Sequence, residues 1–448
     1  MNNWEQTTIG EILARWGGSI KTGPFGTTLK ASEYSALGVP LISVKEIGYG
    51  DFRVDDKTPR VGKAVTDRLP EYLLQTHDIV FGRKGAVDRA ALVTSSQEGW
   101  FLGSDGIRLR LPKECDAQFA RYWISSSIIR SWLKQHSTGS TMPSLNQGAI
   151  ARIPMSLPPL KEQRAISTCL GFLDKKIELN RQMNETLEAM AQAIFRDWFV
   201  ELGPPRRKLE GATDPITIMG GLVRDPERAQ ALADLFPAAL GDDGLPEGWT
   251  ERAFGAFVEI IGGGTPKTSN ESYWNGSIPW FSVTDTPPKG SIFVDATEKT
   301  ISDEGLANSS ARLARAGTTI ISARGTVGNL AMTPHEMTFN QSCYGLQGKG
   351  AVGECFVFLA AQNIVERLKG MAHGSVFSTI TRSTFDNIQL AYTPDEIFEA
   401  FESLAQPLFN KVLGNVKESR TLAATRDLLL PKLMSGEIRL DATGEMIE

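Results

Sequence analysis

A chain of 448 residues, 41% of them hydrophobic, is long enough for two to four folded domains. It has no apolar run long enough to span a membrane, and its four cysteines lack metal-ligand or disulfide spacing, so we expect a cytoplasmic protein without a membrane partner. The net charge of −5 does not by itself indicate a nucleic-acid-binding protein.

The first segment, residues 1–157, predicts a mixed α+β domain. Short β-rich runs such as "VPLISV", "HDIVF" and "GIRLRL" alternate with Gly, Pro and Ser turns, and a helical pattern, "AQFARYWISSSIIRSWLKQ", follows them. Residues 1–155 carry 19 basic and 15 acidic side chains, a balance that permits DNA binding without indicating it.

A long amphipathic helix is predicted next, over residues 158–200. Pro158 and Pro159 end an apolar run and favour a helix start. Side chains spaced by four and three then follow the seven-residue period of a coiled-coil seam. The seam positions are Ile166, Leu170, Leu173, Ile177, Asn180, Asn184, Leu187 and Ile194.

Two further segments separate this helix from the next one. Residues 201–244 are interpreted as a linker with one short helix near "DPERAQALADLF". Residues 245–390 predict a second α+β domain, with β-rich runs such as "IPWFSV" and "TTIISA" and the helical pattern "ECFVFLAAQNIVERLKGM". This second domain carries 11 basic and 13 acidic side chains.

A second long helix is predicted over residues 391–440, followed by a tail, 441–448. Adding 235 to the first seam gives a second seam that includes Phe401, Leu408, Val412, Asn415, Leu422 and Leu429. Both seams change from apolar to polar residues at equivalent positions. A polar residue in a coiled-coil seam fixes the register of the helices and the choice of partner helix. We expect the two helices to pair with each other; the alternative is two unrelated helices packed on separate cores.

The first half of the chain recurs in the second half. "NNWEQTTIGEI" resembles "EGWTERAFGAFVEI", "GVPLISVKE" parallels "SIPWFSVTD", "HDIVFGRKGAVDRAAL" parallels "GTTIISARGTVGNLAM", and "TGSTMPSL" parallels "HGSVFSTI". Each match is weak alone, but four in the same order indicate an internal duplication.

Motifs for catalysis or metal binding are weak. "GGGTPKT" resembles a phosphate loop, but Pro266 lacks the backbone N–H that such a loop needs, and a turn beside a strand is the better interpretation. "DDK" at residues 55–57 occurs in nucleases but also in many exposed turns, and the four histidines lack ligand spacing. The sequence therefore predicts no catalytic residue and no metal site.

Several longer stretches resemble one family. The proline-rich "LPPLKEQRAI" and the long helix ending in "AIFRDWF" resemble the central region of the specificity subunit of type I restriction–modification enzymes. "GGGTPKTSNESYWNGSIPWFSVTD", "ISARGTVGNLAM" and "NQSCYGL" resemble its target-recognition domains, and "LLLPKLMSGEIRL" resembles its C-terminal helix end. The first repeat has "GRKGAVDRAAL" and "FLGSDGIRL" at the corresponding places, which leaves the target sequence open.

The resemblance implies an architecture and a set of partners. Two repeated target-recognition domains would be separated by two long antiparallel helices that form a coiled coil, a dumbbell with internal pseudo-two-fold symmetry. Each domain would recognise one half of a split double-stranded DNA site. Two methyltransferase subunits would methylate adenine N6, and restriction subunits would cleave the DNA. S-adenosylmethionine, ATP and Mg²⁺ would belong to those partners, with no cofactor bound by this chain.

The candidate DNA-binding residues are polar or basic side chains on predicted loops, because base edges and phosphates are bound by such groups. They are Lys21, Thr22, Arg83, Lys84, Ser140 and Thr141 in the first domain, and Lys267, Thr268, Arg324 and Ser375 in the second. Arg83, Lys84 and Arg324 are favoured, since each lies near a glycine just after a β run. For any one of the ten, the alternative is a solvated surface charge or a turn residue.

Two other classes of function stay open at this point: a self-contained restriction or methylation enzyme, and a coiled-coil adaptor that does not bind DNA. The long first helix also has apolar residues off its seam, and we expect some of them to stay uncovered for a partner. These residues are Phe172, Met183, Met190, Phe195 and Phe199.

Overall fold

The computed structural model describes residues 4–139, 142–371, 379–440 and 446–447. The chain divides into two compact units. The first unit comprises Met1–Lys176 and Leu422–Glu448, and the second unit comprises Ile177–Thr421. Both divisions fall within long helices, so each unit contains a part of both.

The first unit is built around two β-sheets. The larger has five strands, in the order Ser19–Thr22, Gly106–Arg110, Ile79–Gly82, Ala90–Leu92 and Tyr49–Gly50. Only its last pair is parallel. The smaller has the order Tyr34–Ser35, Arg60–Val61, Val39–Ile42 and Phe101–Leu102, again with one parallel pair at the end. The strand Ile79–Gly82 is buried throughout, which explains its uninterrupted apolar sequence.

Helices and two short strand pairs complete the first unit. The helices are Ile9–Trp16, Lys63–Arg68, Ala117–Ser125, Ser127–Gln135 and Gln147–Ala151. The strand pairs are Glu5–Thr8 with Pro154–Leu157, and Arg439–Leu440 with Met446–Ile447. Thr8 and Glu11 form a capping box, which satisfies free N–H groups where the helix Ile9–Trp16 begins. Side chains near the end of the chain, including Leu433 and Leu440, belong to the same core as Ile9 and Phe119.

The second unit also has two main sheets. The larger has four antiparallel strands, in the order Val258–Gly262, Cys343–Gly348, Thr319–Ser322 and Leu330–Met332. The smaller has the order Lys299–Ile301, Trp274–Phe281 and Thr338–Phe339, and its last pair is parallel. A further pair joins Thr250–Ala253 to Gln389–Tyr392. The helices within this unit are Gly203–Leu209, Pro215–Ile218, Pro226–Asp234, Phe254–Phe257, Asp303–Ala307, Glu354–Met371 and Arg382–Asp386.

The two units share one topology. The first four strands of the larger sheet in the first unit have the same order and pairing as the four strands in the second. The fifth strand, parallel to Ala90–Leu92, corresponds to a parallel bridge between Phe293 and Met332. In the smaller sheets, the parallel pair occurs at the same place. The duplication predicted from the sequence is therefore confirmed in the fold.

The segment interpreted as a linker, residues 201–244, carries three helices instead of one. Met219, Ala229 and Phe236 are buried in the core of the second unit. Phe236 packs edge-on against Trp198, with ring centroids 5.0 Å apart. The segment is thus a packed part of the second unit.

The two long helices are Leu160–Phe195, which we call the central helix, and Asp395–Ser435, which we call the C-terminal helix. A wide π-helical turn, Arg196–Val200, follows the central helix. In the second unit Asn180 contacts Ser419, and Asn184 contacts Asn415, so the helices run antiparallel there. The fourteen seam residues named above are all buried or half-buried.

Polar seam residues make a hydrogen-bonded layer in the second unit. Asn415 donates its side-chain N–H to Oδ1 of Asn184 at 2.8 Å, and Asn184 donates to the carbonyl oxygen of Gly290 at 3.1 Å. Asn180 donates to Glu418 at 2.8 Å. Because each amide bonds a specific partner, sliding one helix past the other would leave buried polar groups unpaired.

The off-seam residues of the first long helix divide into two groups. Phe172, Met183 and Met190 are exposed, as expected. Phe195 and Phe199 are buried, so the residues that stay uncovered are three of the five. Both rings pack against Phe356, because the second unit places an aromatic core at this end of the helix.

Candidate nucleic-acid interface

Three strands of the larger sheet in the first unit meet at one end, where several candidate residues lie. Ser19–Thr22 and Ile79–Gly82 end there, and Gly106–Arg110 begins there. Main-chain hydrogen bonds extend the sheet into the loops: Gly23 N–H donates to the oxygen of Gly106 at 3.0 Å, and Arg83 N–H donates to that of Asp105 at 2.8 Å. We call this end of the sheet, with its loops, the first loop edge.

Glycines permit the close approach of these loops. A Cβ on Gly23 would lie 1.8 Å from the carbonyl oxygen of Gly103, so no other residue fits without a shift of the backbone. Gly85 has a φ of +72°, and its N–H donates to the oxygen of Pro143 at 2.8 Å. Leu145 N–H also donates to the oxygen of Arg83, so the segment around residues 143–145 joins this edge.

The first loop edge brings Thr22, Arg83 and Lys84 together. Arg83 donates to the carbonyl oxygen of Ser104 at 3.2 Å, and Lys84 lies 3.5 Å from a carboxylate oxygen of Asp105. Thr22 accepts a hydrogen bond from the side chain of Gln147, the first residue of a short helix, at 3.1 Å. These three candidates therefore lie on one surface.

Lys21 is not part of this grouping. Its ammonium lies 4.5 Å from the ring centroid of Tyr72 and 3.8 Å from a carboxylate oxygen of Glu71. Successive side chains of a strand point to opposite faces, so Lys21 and Thr22 separate even though they are neighbours. The candidates Ser140, Thr141 and Ser375 lie outside the described residues.

The second unit has an equivalent edge, which we call the second loop edge. Ala323 N–H donates to the carbonyl oxygen of Ser342 at 2.7 Å, and Ile380 N–H donates to that of Ala323 at 2.9 Å. Arg324 follows directly, exposed, and forms a backbone bridge with Thr379. Arg324 thus corresponds in position to Lys84.

Lys267 and Thr268 lie on a neighbouring loop and are exposed. The carbonyl oxygen of Lys267 accepts hydrogen bonds from Asn270 N–H at 3.1 Å and from the indole N–H of Trp274 at 3.4 Å. Thr265, in the same loop, bonds the side chain of Gln341 beside the second loop edge. This loop is therefore ordered by its own contacts and leaves both side chains in solvent.

Sequence reasoning missed two features of the first loop edge. Phe25 is exposed, with its ring centroid 5.6 Å from the guanidinium carbon of Arg83. Asp88, only 7% exposed, accepts from Arg130 at 3.0 Å and lies 3.1 Å from the ammonium of Lys134. In the sequence, the ion pairs of Asp88 were signalled by a difference between the repeats: Asp88 in the first repeat stands where the second has Gly328.

Tyr49 and Arg89 complete the group around Asp88. The Tyr49 hydroxyl donates to Asp88 at 3.3 Å, and its ring lies 4.1 Å from the guanidinium carbon of Arg130 and 5.6 Å from that of Arg89. Burial raises the pKa of Asp88, but the hydrogen bonds from Arg130 and Lys134 outweigh it and lower that pKa below its ordinary value. Asp88 is therefore ionised at neutral pH. We call these five residues the Asp88 cluster.

Clusters of metal-ligand side chains and apolar helices of membrane-spanning length are absent from the part of the chain that the structure describes. There, no group of three or more His, Cys, Asp or Glu side chains could hold a metal ion, and no helix is long and apolar enough to cross a membrane. The four cysteines are free, and burial raises the pKa of the Cys115 and Cys343 thiols to about 12.

Known proteins of one family match this chain. The family model described as type I restriction modification DNA specificity domain matches residues 1–189 and 246–406. The specificity subunit of the HindI type I restriction enzyme from Haemophilus influenzae is 28% identical over 335 residues, which cover 67% of this chain and 72% of that protein. The MjaIX specificity subunit from Methanocaldococcus jannaschii is 22% identical over 460 residues, covering 98% of this chain and 97% of that one.

A solved structure has the same fold. The crystal structure of a type I restriction–modification S subunit from M. genitalium aligns with a TM-score of 0.54 at 16% identity, covering 97% of both chains. The family model spans more than three quarters of the chain, including the larger sheets and loop edges of both units. The chain therefore belongs to the family of type I restriction–modification DNA specificity proteins, as a non-catalytic specificity subunit.

Proposed function

We propose that each unit recognises one half of a split double-stranded DNA site, and that partner subunits methylate adenine N6 or restrict DNA according to that recognition. The observation that carries this proposal is one sheet topology that occurs twice and ends in two different loop edges. The first edge presents Thr22, Arg83 and Lys84, whereas the second presents Arg324. Two copies of one sheet topology, each with different side chains at its loop edge, could recognise two different half-site sequences.

The chemistry of these side chains suits DNA. An arginine or lysine can donate two hydrogen bonds to O6 and N7 of guanine, and a threonine hydroxyl can bond several base edges. The backbone of both edges is held by main-chain hydrogen bonds, so the exposed side chains of Lys84 and Arg324 can contact a duplex without movement of the backbone.

The catalytic steps belong to partners under this proposal. Two methyltransferase subunits would bring S-adenosylmethionine, and restriction subunits would bring ATP and Mg²⁺, in the cytoplasm where the DNA lies. Removing a base from the duplex for methylation is compatible with recognition by a separate chain.

Exposed apolar residues on the central helix support a protein partner. In the second unit, Leu179, Met183 and Met190 are exposed, and their spacings of four and seven place them on one helix face. In the first unit, Phe172 of the same helix is 66% exposed. Large apolar side chains in such a row are typical of a protein interface, and we assign this face to a methyltransferase subunit.

The test uses the full chain in complex with its methyltransferase partners and maps methylated adenines across a genome. Arg324→Ala should reduce the sequence specificity at one half-site and leave that at the other unchanged. The reason is that a good bidentate contact discriminates between the correct and a wrong base by about 1–3 kcal/mol. The matched variant Lys84→Ala, at the equivalent position of the first unit, should relax the opposite half-site.

Relaxation of the same half-site by both variants, or an unsplit target, would contradict the proposal. Methylation or cleavage by the chain alone would favour the self-contained enzyme. Failure to bind DNA even with the methyltransferase subunits would favour the adaptor.

A further inference from the structure

The Asp88 cluster contains more positive than negative charge. Asp88 is its one acid, while Arg89, Arg130 and Lys134 supply three cations. Arg130 and Lys134 both pair with Asp88, and among the described residues Arg89 has no carboxylate within ion-pair distance. The Nε atoms of Arg89 and Arg130 are buried and lack a hydrogen-bond partner there. The cluster therefore carries two more positive than negative charges.

The cluster lies beside the first loop edge. Gly82 N–H donates to the carbonyl oxygen of Arg89 at 3.0 Å, and residues 83–89 form the loop between the strands Ile79–Gly82 and Ala90–Leu92. Arg83 and Lys84 lie in that same loop. Arg89 ends this loop, and the side chain of Lys134, 61% exposed, reaches it through the ion pair with Asp88.

The second unit lacks this arrangement at the equivalent loop. Gly328 and Asn329 stand where the first unit has Asp88 and Arg89, and the backbone N–H of Asn329 donates to the hydroxyl of Ser322 at 2.8 Å. The difference agrees with the charge of the two segments, since residues 1–155 carry an excess of four basic side chains, and residues 245–390 an excess of two acidic ones.

We propose that the Asp88 cluster is a binding site for the DNA backbone, specific to the first unit, in which Arg89, Arg130 and Lys134 contact phosphodiester oxygens. This deepens the proposed function and rests on it. The Tyr49 ring and the Asp88 carboxylate hold Arg130 in place, so its contact requires little reordering of the side chain. Contacts of this kind fix the duplex in register and add affinity without sequence preference.

The experiment measures the affinity of the full chain, in complex with its methyltransferase partners, over a series of KCl concentrations. One duplex contains the methylated site, and a second has the same base composition in scrambled order. The variants are Arg89→Gln and Lys134→Gln. The control, Lys113→Gln, removes an exposed charge just beyond the opposite end of the sheet, after the strand Gly106–Arg110.

Each cluster variant should reduce the slope of log affinity against log salt by about 0.9, the contribution of one phosphate contact. The same relation implies about a fivefold loss of affinity near 150 mM salt, equal for both duplexes. Lys113→Gln should change neither quantity. Arg89 takes part in no ion pair in the described residues, so Arg89→Gln should fold normally even if variants at Arg130 do not.

Unchanged slopes with both duplexes still bound would overturn the phosphate site and leave the proposed function intact. A loss confined to the specific duplex, with unchanged slope, would identify base contacts instead and would also overturn it. Failure of the unsubstituted complex to bind either duplex would refute the proposed function itself, and this inference with it.

Discussion

The two loop edges are built on equivalent strands of the two units but differ in the side chains they expose. The first edge has Arg83 and Lys84, with the Asp88 cluster beside them. The second edge has Arg324, followed by Gly328 and Asn329. Their backbones nevertheless make equivalent hydrogen bonds, since the N–H groups of Arg83 and Ala323 donate to the carbonyl oxygens of Asp105 and Ser342, respectively. Buried strands and main-chain hydrogen bonds therefore determine the framework, and the chemistry of the edge can change independently of it.

The cores of the two units differ in a similar way. Trp198 and Leu433 occupy equivalent places in the helix repeat, and both are buried almost completely. Trp198 lies among aromatic rings, with centroids 5.0 Å from Phe236 and 6.0 Å from Phe401. Leu433 lies in a core with more aliphatic side chains. The same helical position thus serves an aromatic core in one unit and a more aliphatic core in the other.

The largest expected effect on stability comes from truncating the side chains at these two positions. Trp198→Ala should lower the free energy of unfolding of the second unit by about 3–5 kcal/mol, and Leu433→Ala that of the first by about 2–5 kcal/mol, because each leaves a cavity. Urea unfolding followed by far-UV circular dichroism measures both. Leu428→Ala, at an exposed position of the C-terminal helix, is the control and should change stability by less than about 0.5 kcal/mol. A similarly small effect of Trp198→Ala would contradict the account of the aromatic core.

Two carboxylates on the central helix have opposite titration behaviour. In the first unit, Asp174 accepts from Arg121 and Arg426 at 2.8 Å and from the Tyr122 hydroxyl at 2.6 Å. Burial raises the pKa of Asp174, but the charge of Arg121 and these hydrogen bonds lower it overall. In the second unit, burial and repulsion from Glu185 raise the pKa of Glu188 to about 7, although Lys289 opposes them.

These shifts predict opposite dependences of stability on pH. The stability from Asp174 is complete above the ordinary carboxyl pKa and is lost as pH falls through the lowered value. Folding favours protonated Glu188, so the contribution of this group to the stability of the second unit is most favourable below pH 4.5 and declines as pH rises towards 7. Glu188→Gln should remove that loss and stabilise the second unit at pH 8 by on the order of 2 kcal/mol, allowing for partial exposure.

Urea unfolding at pH 5 and pH 8 tests the Glu188 prediction. Glu399→Gln, an exposed glutamate on the C-terminal helix of the same unit, serves as the control and should leave the profile unchanged. An unaltered difference between the two pH values in Glu188→Gln would show that Glu188 does not cause it.

The smallest expected effect concerns a left-handed backbone position that both units share. His77 has a φ of +72° and Gly317 a φ of +86°, and their N–H groups donate to the equivalent residues Val93 and Thr333. Glycine adopts this conformation without strain, so His77→Gly should stabilise the first unit by about 0.5–1 kcal/mol.

Gly317→Ala is the reciprocal change and should destabilise the second unit by about 1–2 kcal/mol. Its new Cβ would also lie 3.0 Å from Cγ of Glu354. Thermal unfolding of the two variants distinguishes the outcomes, and a shift of the same sign in both would show that the two positions are not equivalent.

Features with a local period could be predicted from the sequence. The seam residues follow a repeat of seven, and the basic residues near Gly85 and Gly325 come directly after buried strands, so their placement at a sheet end followed from local pattern. The number of helices in residues 201–244 was underestimated, because the helices are short and their burial depends on distant partners, such as Trp198 for Phe236. The Asp88 cluster joins Asp88 to Arg130, 42 positions away, and no local pattern indicates such a contact.

The first unit draws its core from both ends of the chain, and this has a consequence for biosynthesis. The second unit, Ile177–Thr421, is one continuous segment, whereas Leu433, Met434 and Leu440 complete the core that holds Ile9 and Phe119. A ribosome must therefore synthesise the whole second unit before the first can close. We therefore expect the N-terminal segment of the nascent chain to keep part of its apolar surface open until residues 433–440 are synthesised, a state that favours aggregation.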